Sequence, residues 1–279
     1  MLRGLGAGLL MASCVCAQTP KPMQVLVDWN SDAEVMKTVA TVQVVVNPLL
    51  RRGSAIHNDA WKSLKELGAD DVRYVPWHPY PRLAVGEMDP PKDGKASWDF
   101  RLIDPMTADF IQATEGHPII LNFSTQPGWL YAIKKRNEVP KDPDQVDWSY
   151  VQGRELEDKS GKQLADYYER LVSRYTQGGF TDESGQWRES GLHYKVAWWA
   201  VFNEIDIEHN PSPEEYTAEY DAIVGRLHGL DPKMKFVGLA LAHPEQHPEM
   251  FEYFLNHANH KAGIPLDMTS YHFYATPTK

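Results

Sequence analysis

Apolar residues along this chain follow two periods that alternate from one end to the other. Short runs that are apolar throughout, or on every second position, read as strands: residues 41–46, 71–76, 118–123, 194–202, 235–241 and 266–273. Between them, apolar residues recur at helical spacing. Residues 58–68 set Trp61, Leu64 and Leu67 on one stripe, with Asn58 as a cap and Gly68 as a stop. Residues 100–114 carry Leu102, Ile103, Met106, Phe110 and Ile111 in the same rhythm. Ser160-Gly161-Lys162-Gln163 has the form of a capping box and opens a third helix to about residue 175. Ser212-Pro213-Glu214-Glu215 opens a fourth to about residue 227, with a cap, a proline at the first helical position and acid in the first turn. Residues 248–257 read as a fifth.

Strand and helix in strict alternation predict a parallel α/β architecture. No GxGxxG and no GxxxxGK[ST] occurs, so a nucleotide-binding doubly wound sheet gives way to a (β/α)8 TIM barrel. A barrel closes with eight strands, and the pattern supplies six. The expectation is therefore an incomplete (β/α)8 barrel, about six of eight strands, over residues 40–279. Residues 18–39 read as an N-terminal extension. Two connections after strands are long, residues 77–98 and 124–159, and on a barrel both lie on the face where loops build sites. They carry Trp77, Tyr80, Trp98, Trp129, Tyr131, Trp148 and Tyr150. Most of these can simply pin the loops to the body. Trp129, closest to the third strand, is the best candidate for a flat ligand surface.

Composition adds an address and removes some partners. Arg3, the apolar run 5–11 and the small residues before Ala17 read as a signal peptide over residues 1–17. A lipoprotein cut at Cys14 is the alternative. Both cysteines, Cys14 and Cys16, lie in that segment, so the mature chain has no disulfide and depends on a large core. The expected location is secreted or periplasmic. No later stretch is apolar enough to span a membrane. The formal charge of −10 argues against nucleic acid as a partner. Asn122-Phe123-Ser124 is formally a glycosylation sequon, but it ends an apolar run and reads as buried.

The stretch richest in chemistry is 196–204. It is apolar on both faces and ends abruptly in Asn203 and Glu204. A buried parallel strand has this form, and its C-terminal end is where such strands deliver site residues. The bland alternative is a solvated strand-to-loop turn. Other strand ends also carry polar groups: Arg73, Trp77 and His78 on the second; Asn122, Ser124 and Gln126 on the third; His272 and Tyr274 on the last. A barrel converges these ends on one pocket. His243 and His247, or His257 and His260, have metal-like spacing, but Pro244 and Pro248 break the first pair and no HExxH occurs. No metal and no cofactor are expected.

Trp-x-x-Phe-Asn-Glu on the fourth strand and His-x-Tyr on the sixth resemble the retaining glycoside hydrolases of clan GH-A, and within them family 39, which includes β-xylosidases and α-L-iduronidases. The resemblance covers roughly residues 40–279. It implies a carbohydrate substrate and hydrolysis of glycosidic bonds by double displacement. Glu204 would be the acid/base, with a raised pKa. Asn203 would hold the sugar 2-hydroxyl, Tyr274 would orient the nucleophile, and His272 would line the pocket. Arg73 would keep the nucleophile ionised; a core arginine paired to a structural acid is the alternative. His78 sits farther from Arg73 than the family pattern puts its histidine. The clan's nucleophile is a Glu at the end of a seventh strand, and no such strand is read here. Asp206, Glu208 and Asp267 are the nearest carboxylates in sequence, and none occupies that place. Two further readings stay open: a non-catalytic carbohydrate-binding barrel, and a hydrolase of another family of the clan acting on glucans or mannans.

Overall fold

The computed structural model describes residues 24–28, 39–134, 138–150 and 153–274. Residues 1–17, read above as a signal peptide, with both cysteines, and most of residues 18–39 lie outside the described residues. Residues 24–28 carry no regular secondary structure and belong to a separate N-terminal unit, residues 1–38.

From residue 39 onward the elements run β1 (Thr41–Val45), α1 (His57–Leu67), β2 (Asp71–Val75), α2 (Ile103–Ala113), β3 (Ile119–Leu121) and α3 (Lys162–Thr176). They continue with β4 (Gly179–Thr181), β5 (Trp187–Glu189), β6 (Trp198–Ala200), α4 (Ile205–Glu208), α5 (Pro213–Leu230), β7 (Lys235–Leu241), α6 (Pro248–Phe254) and β8 (Met268–Tyr271). Six strands form one sheet in the order β1-β2-β3-β6-β7-β8, every neighbouring pair parallel. Parallel neighbours need crossovers, and the helices supply them. This is an incomplete (β/α)8 barrel, as expected.

Local signals explain several element ends. Gly68 closes α1 in the left-handed conformation, φ 58°. Ser212 and Glu215 form a reciprocal capping box at the start of α5, with Pro213 in the first turn. Two start signals did not act as read. Helix α1 begins at His57 with no side-chain cap, so Asn58 lies inside it. At α3, Gly161 takes φ 70° and Ser160 makes no capping box; Asp158 accepts from the Gln163 and Ser160 amides instead. The antiparallel hairpin β4–β5 between α3 and β6 was not read from the sequence, because its strands are three residues each and β5 is exposed.

The core lies between the sheet and the α3–α5 pair. Tyr167, Tyr175, Tyr216, Tyr220 and Phe254 are fully or almost fully buried there. The Tyr216 hydroxyl accepts from the Leu239 amide, and the Tyr220 hydroxyl donates to the Pro265 carbonyl at 3.0 Å. Strand β7 runs so close beneath this layer that a Cβ at Gly238 would meet the Phe254 ring at 2.6 Å. Only glycine fits that approach.

Candidate active site

The sheet ladder of β6 is shorter than residues 194–202. It spans Trp198–Ala200, and one further bond, Val201 N to Val237 O at 2.9 Å, extends it. Phe202 (φ 64°) and Glu204 (φ 41°) then turn left-handed, which takes the chain out of the sheet. Left-handed backbone at non-glycine residues costs roughly 1–2 kcal/mol each. Four hydrogen bonds hold it: Asn122 Nδ2 donates to the Phe202 carbonyl at 2.9 Å, Glu204 N donates to the Ala240 carbonyl at 2.8 Å, and Asp206 accepts from the Ala242 and His243 amides, both at 2.8 Å. Strained backbone that the surroundings enforce is typical of functional sites.

Side chains from four strands and the turns that follow them gather around Glu204. Register pairs Gln43 of β1 with Arg73 of β2, and the Arg73 guanidinium donates to the Gln43 amide oxygen. Arg73 also donates to Asn203 Oδ1 at 2.9 Å. The Asn203 Nδ2 donates to Glu208 Oε1 at 2.7 Å, and Trp77 Nε1 donates to the same oxygen at 3.2 Å. From beyond β8, His272 Nδ1 lies 2.6 Å from Glu204 Oε1, and the Tyr274 hydroxyl donates to that oxygen too. A carboxylate only accepts, so His272 carries its proton on Nδ1. Tyr274, assigned by resemblance to orient a nucleophile, bonds Glu204 itself.

The electrostatics differ from the sequence expectation. Burial pushes the Glu204 carboxyl up. The hydrogen bonds from His272 and Tyr274, with the charges of His272 and Arg73, outweigh burial and hold it below the usual range. The raised pKa expected from burial and a nearby second carboxylate is not found: burial acts as expected, but cations and donors surround Glu204. Burial brings Arg73 down to about 10, against the Glu208 and Glu204 carboxylates, and it stays charged at neutral pH. Burial and Glu204 push the Tyr274 phenol up to about 12, so it remains a donor. Burial lowers His78 despite the carboxylates of Glu204 and Asp147, leaving it neutral.

Glu204 lies on the wall shared by two cavities. One, of about 420 Å³, is lined by Gln43, Trp77, Asn203, His272 and Tyr274. The other, of about 550 Å³, is lined by Trp77, His78, Trp148, His209 and Glu208. Among the described residues, Glu208 is the one other carboxylate on these two walls. Trp129 lines neither; it borders a separate cleft of about 300 Å³ with Arg82 and Met88, and its Nε1 donates to the Glu87 carbonyl. Trp77 and Trp148 take the place next to Glu204, a choice that loop packing makes and no local motif marks. The polar residues after β3 also stay out of the site. Asn122, Ser124 and Gln126 are fully buried, and Gln126 Nε2 donates to Tyr168 Oη at 2.8 Å. Asn122 in the sequon is thus inaccessible. The histidines of metal-like spacing do not converge: His260 pairs with Asp221, His247 with Glu249, and no cluster of three metal-ligating residues occurs among the described residues.

No protein-family model matches the chain, and no curated protein matches it in sequence. Solved structures do match in fold. A GH39 β-xylosidase from Caulobacter crescentus aligns with a TM-score of 0.56 at 16% identity over 84% of this chain and 46% of that one. A monomeric β-xylosidase from Caulobacter crescentus CB15 aligns at 0.54 and 17% identity, over 84% and 41%. A glucosidase from Croceicoccus marinus aligns at 0.52 and 14% identity, over 84% and 43%. The chain spans less than half the length of each. At such identity the likeness concerns the fold, and it matches the incomplete barrel described above.

Proposed function

We propose that the protein is a glycoside hydrolase of the clan GH-A type, closest in kind to family 39, acting outside the cytoplasm on a carbohydrate. One observation carries this reading: Glu204, beside Asn203 just past the fourth parallel strand, faces a cleft with a carboxyl gripped by His272 and Tyr274 from just past the last strand. The fold neighbours, which are glycosidases by name, support it.

Glu204 is the acid/base. In the uncovered cleft it is ionised, the base form that deprotonates a water. The acid form needs a raised pKa. A substrate closing the cleft strengthens the burial that already pushes the group up, and a second carboxylate would add to it. Asn203, fixed by Arg73 and Glu208, keeps a second N–H and a second lone pair for a sugar hydroxyl. A retaining pair needs carboxyls about 5–5.5 Å apart. Glu208 is tied to Asn203 and Trp77, so the described residues supply the acid/base half of that pair. No step of this chemistry calls for a metal or cofactor.

The test is Glu204→Gln in the protein made from the complete reading frame, assayed on aryl β-xyloside and aryl β-glucoside. Turnover should fall by about 10²–10⁴-fold while sugar affinity stays within a few-fold. Unchanged turnover overturns the role of Glu204. Tight sugar binding with no turnover in the parent protein would replace the enzyme by a carbohydrate-binding barrel.

A further inference from the structure

A carboxyl at the junction of two cavities has room for a ring on each side. Both cavities fall in the range of small-molecule pockets, roughly 300–1,000 Å³. The first contains Asn203, His272 and Tyr274 and suits the sugar whose bond is cleaved. Building on the glycosidase reading, we propose that the second cavity is a subsite for the leaving group, that it takes a sugar ring stacked on Trp148, and that the substrate is therefore an oligosaccharide spanning Glu204.

Trp148 is 66% exposed on the cavity wall, an unusual state for the largest apolar side chain. Its ring is nonetheless held in place. It meets Trp77 edge-on at 5.4 Å and 83°, and His78 at 6.0 Å and 73°. Trp77 is itself fixed by its bond to Glu208. The chain is pinned on both sides of Trp148: Asp147 N donates to the Pro79 carbonyl at 2.8 Å, and the Tyr150 hydroxyl donates to the Gln126 carbonyl at 2.8 Å. A ring presented this way loses little freedom when a ligand arrives. An indole face matches the C–H face of a pyranose.

The polar groups of the cavity favour a sugar over a flat aromatic leaving group. His78 Nδ1 and His209 Nε2 are buried and have no hydrogen-bond partner among the described residues. His209 is only 5% exposed, and its Nδ1 bonds the Gly153 carbonyl at 2.8 Å, which leaves Nε2 as an acceptor. Neither nitrogen is open to solvent, so the hydroxyls of a ring on Trp148 meet Arg154, Glu208 and Asn210 on the same wall. An aryl group covers Trp148 and offers those three polar side chains no hydroxyl to bond.

Isothermal titration of the Glu204→Gln protein, which binds without cleaving, with methyl β-xyloside, xylobiose and xylotriose, and with methyl β-glucoside, cellobiose and cellotriose, tests this. In one series the oligosaccharides should bind about tenfold more tightly than the methyl glycoside, a stacking-sized gain. Trp148→Ala should erase that advantage without changing affinity for the methyl glycoside, and Trp148→Phe should keep most of it. Binding of methyl glycosides with no gain from length, or a Trp148→Ala loss shared equally by both ligand sizes, overturns the subsite and leaves the glycosidase reading standing. No binding of any sugar overturns both. Circular dichroism of each variant separates these results from unfolding.

Discussion

Two strands leave the sheet with the same sequence grammar and arrive at opposite outcomes. Strand β3 runs from apolar residues into Asn122, Ser124 and Gln126; β6 runs from apolar residues into Asn203 and Glu204. After β3 the polar groups are fully buried, and Asn122, Thr125 and Gln126 bond the Phe202 carbonyl, the Pro76 carbonyl and Tyr168. The chain there keeps ordinary backbone angles. After β6, Phe202 and Glu204 are left-handed, and Glu204 opens on two cavities. The difference is what covers each end. Tyr168 of α3 and Tyr150 of the following loop close over the β3 exit, whereas the β6 exit meets the ends of β2 and β8 across a cleft. One amide became scaffold and the other part of a site. Asn122 in fact supports the strained turn that aims Glu204.

The largest effect that could break this comparison concerns turnover in the complete protein. Glu204→Gln should cost about 10²–10⁴-fold, whereas Asn122→Ala, which leaves the turn held by the Ala240 carbonyl and Asp206, should cost far less per folded molecule. Equal losses would erase the distinction. Next comes stability. Asn122→Ala leaves the buried Phe202 carbonyl without its donor and should cost about 1–3 kcal/mol, read as a lower urea midpoint at unchanged slope. Glu204→Gln should cost less; the reverse order would make Glu204 the structural residue of the two. A smaller effect tests the strain. Both Glu204→Gly and Glu204→Ala remove the side chain, so their difference reports the backbone. The glycine variant should be the more stable by about 1 kcal/mol, and equal stabilities would mean the left-handed turn is unstrained.

The smallest effect is a titration. Tyr274→Phe removes one donor from Glu204, so the carboxyl should move up toward its ordinary value in carbon-detected NMR. The sign for stability follows. The folded carboxyl titrates below its unfolded value, so it adds stability above that value and loses it as pH falls through the folded one. Tyr274→Phe should weaken that acid-side dependence. An unmoved titration would show that His272 and Arg73 alone hold the charge.

The sequence by itself determined the parallel α/β class and the six main strands, and it pointed to Asn203 and Glu204 as a candidate pair. Strand β7 matches its expected limits, Gly68 ends α1, and Ser212 with Glu215 caps α5. These features are local: period, cap and stop act within about one helical turn or one strand. Asn203 and Glu204 were legible because an apolar run ending in polar residues is also a local signal. Tertiary structure decided everything that depends on distant partners. Arg73 and Asn203 are 130 residues apart, and Glu204 and His272 are 68 apart. Their meeting depends on sheet register, which fixes which side chains share a pocket. The same convergence set the charge of Glu204, surrounding it with donors and cations that lower its pKa. It also chose Trp148 over Trp129, because ring exposure is a property of how loops pack and of no residue alone.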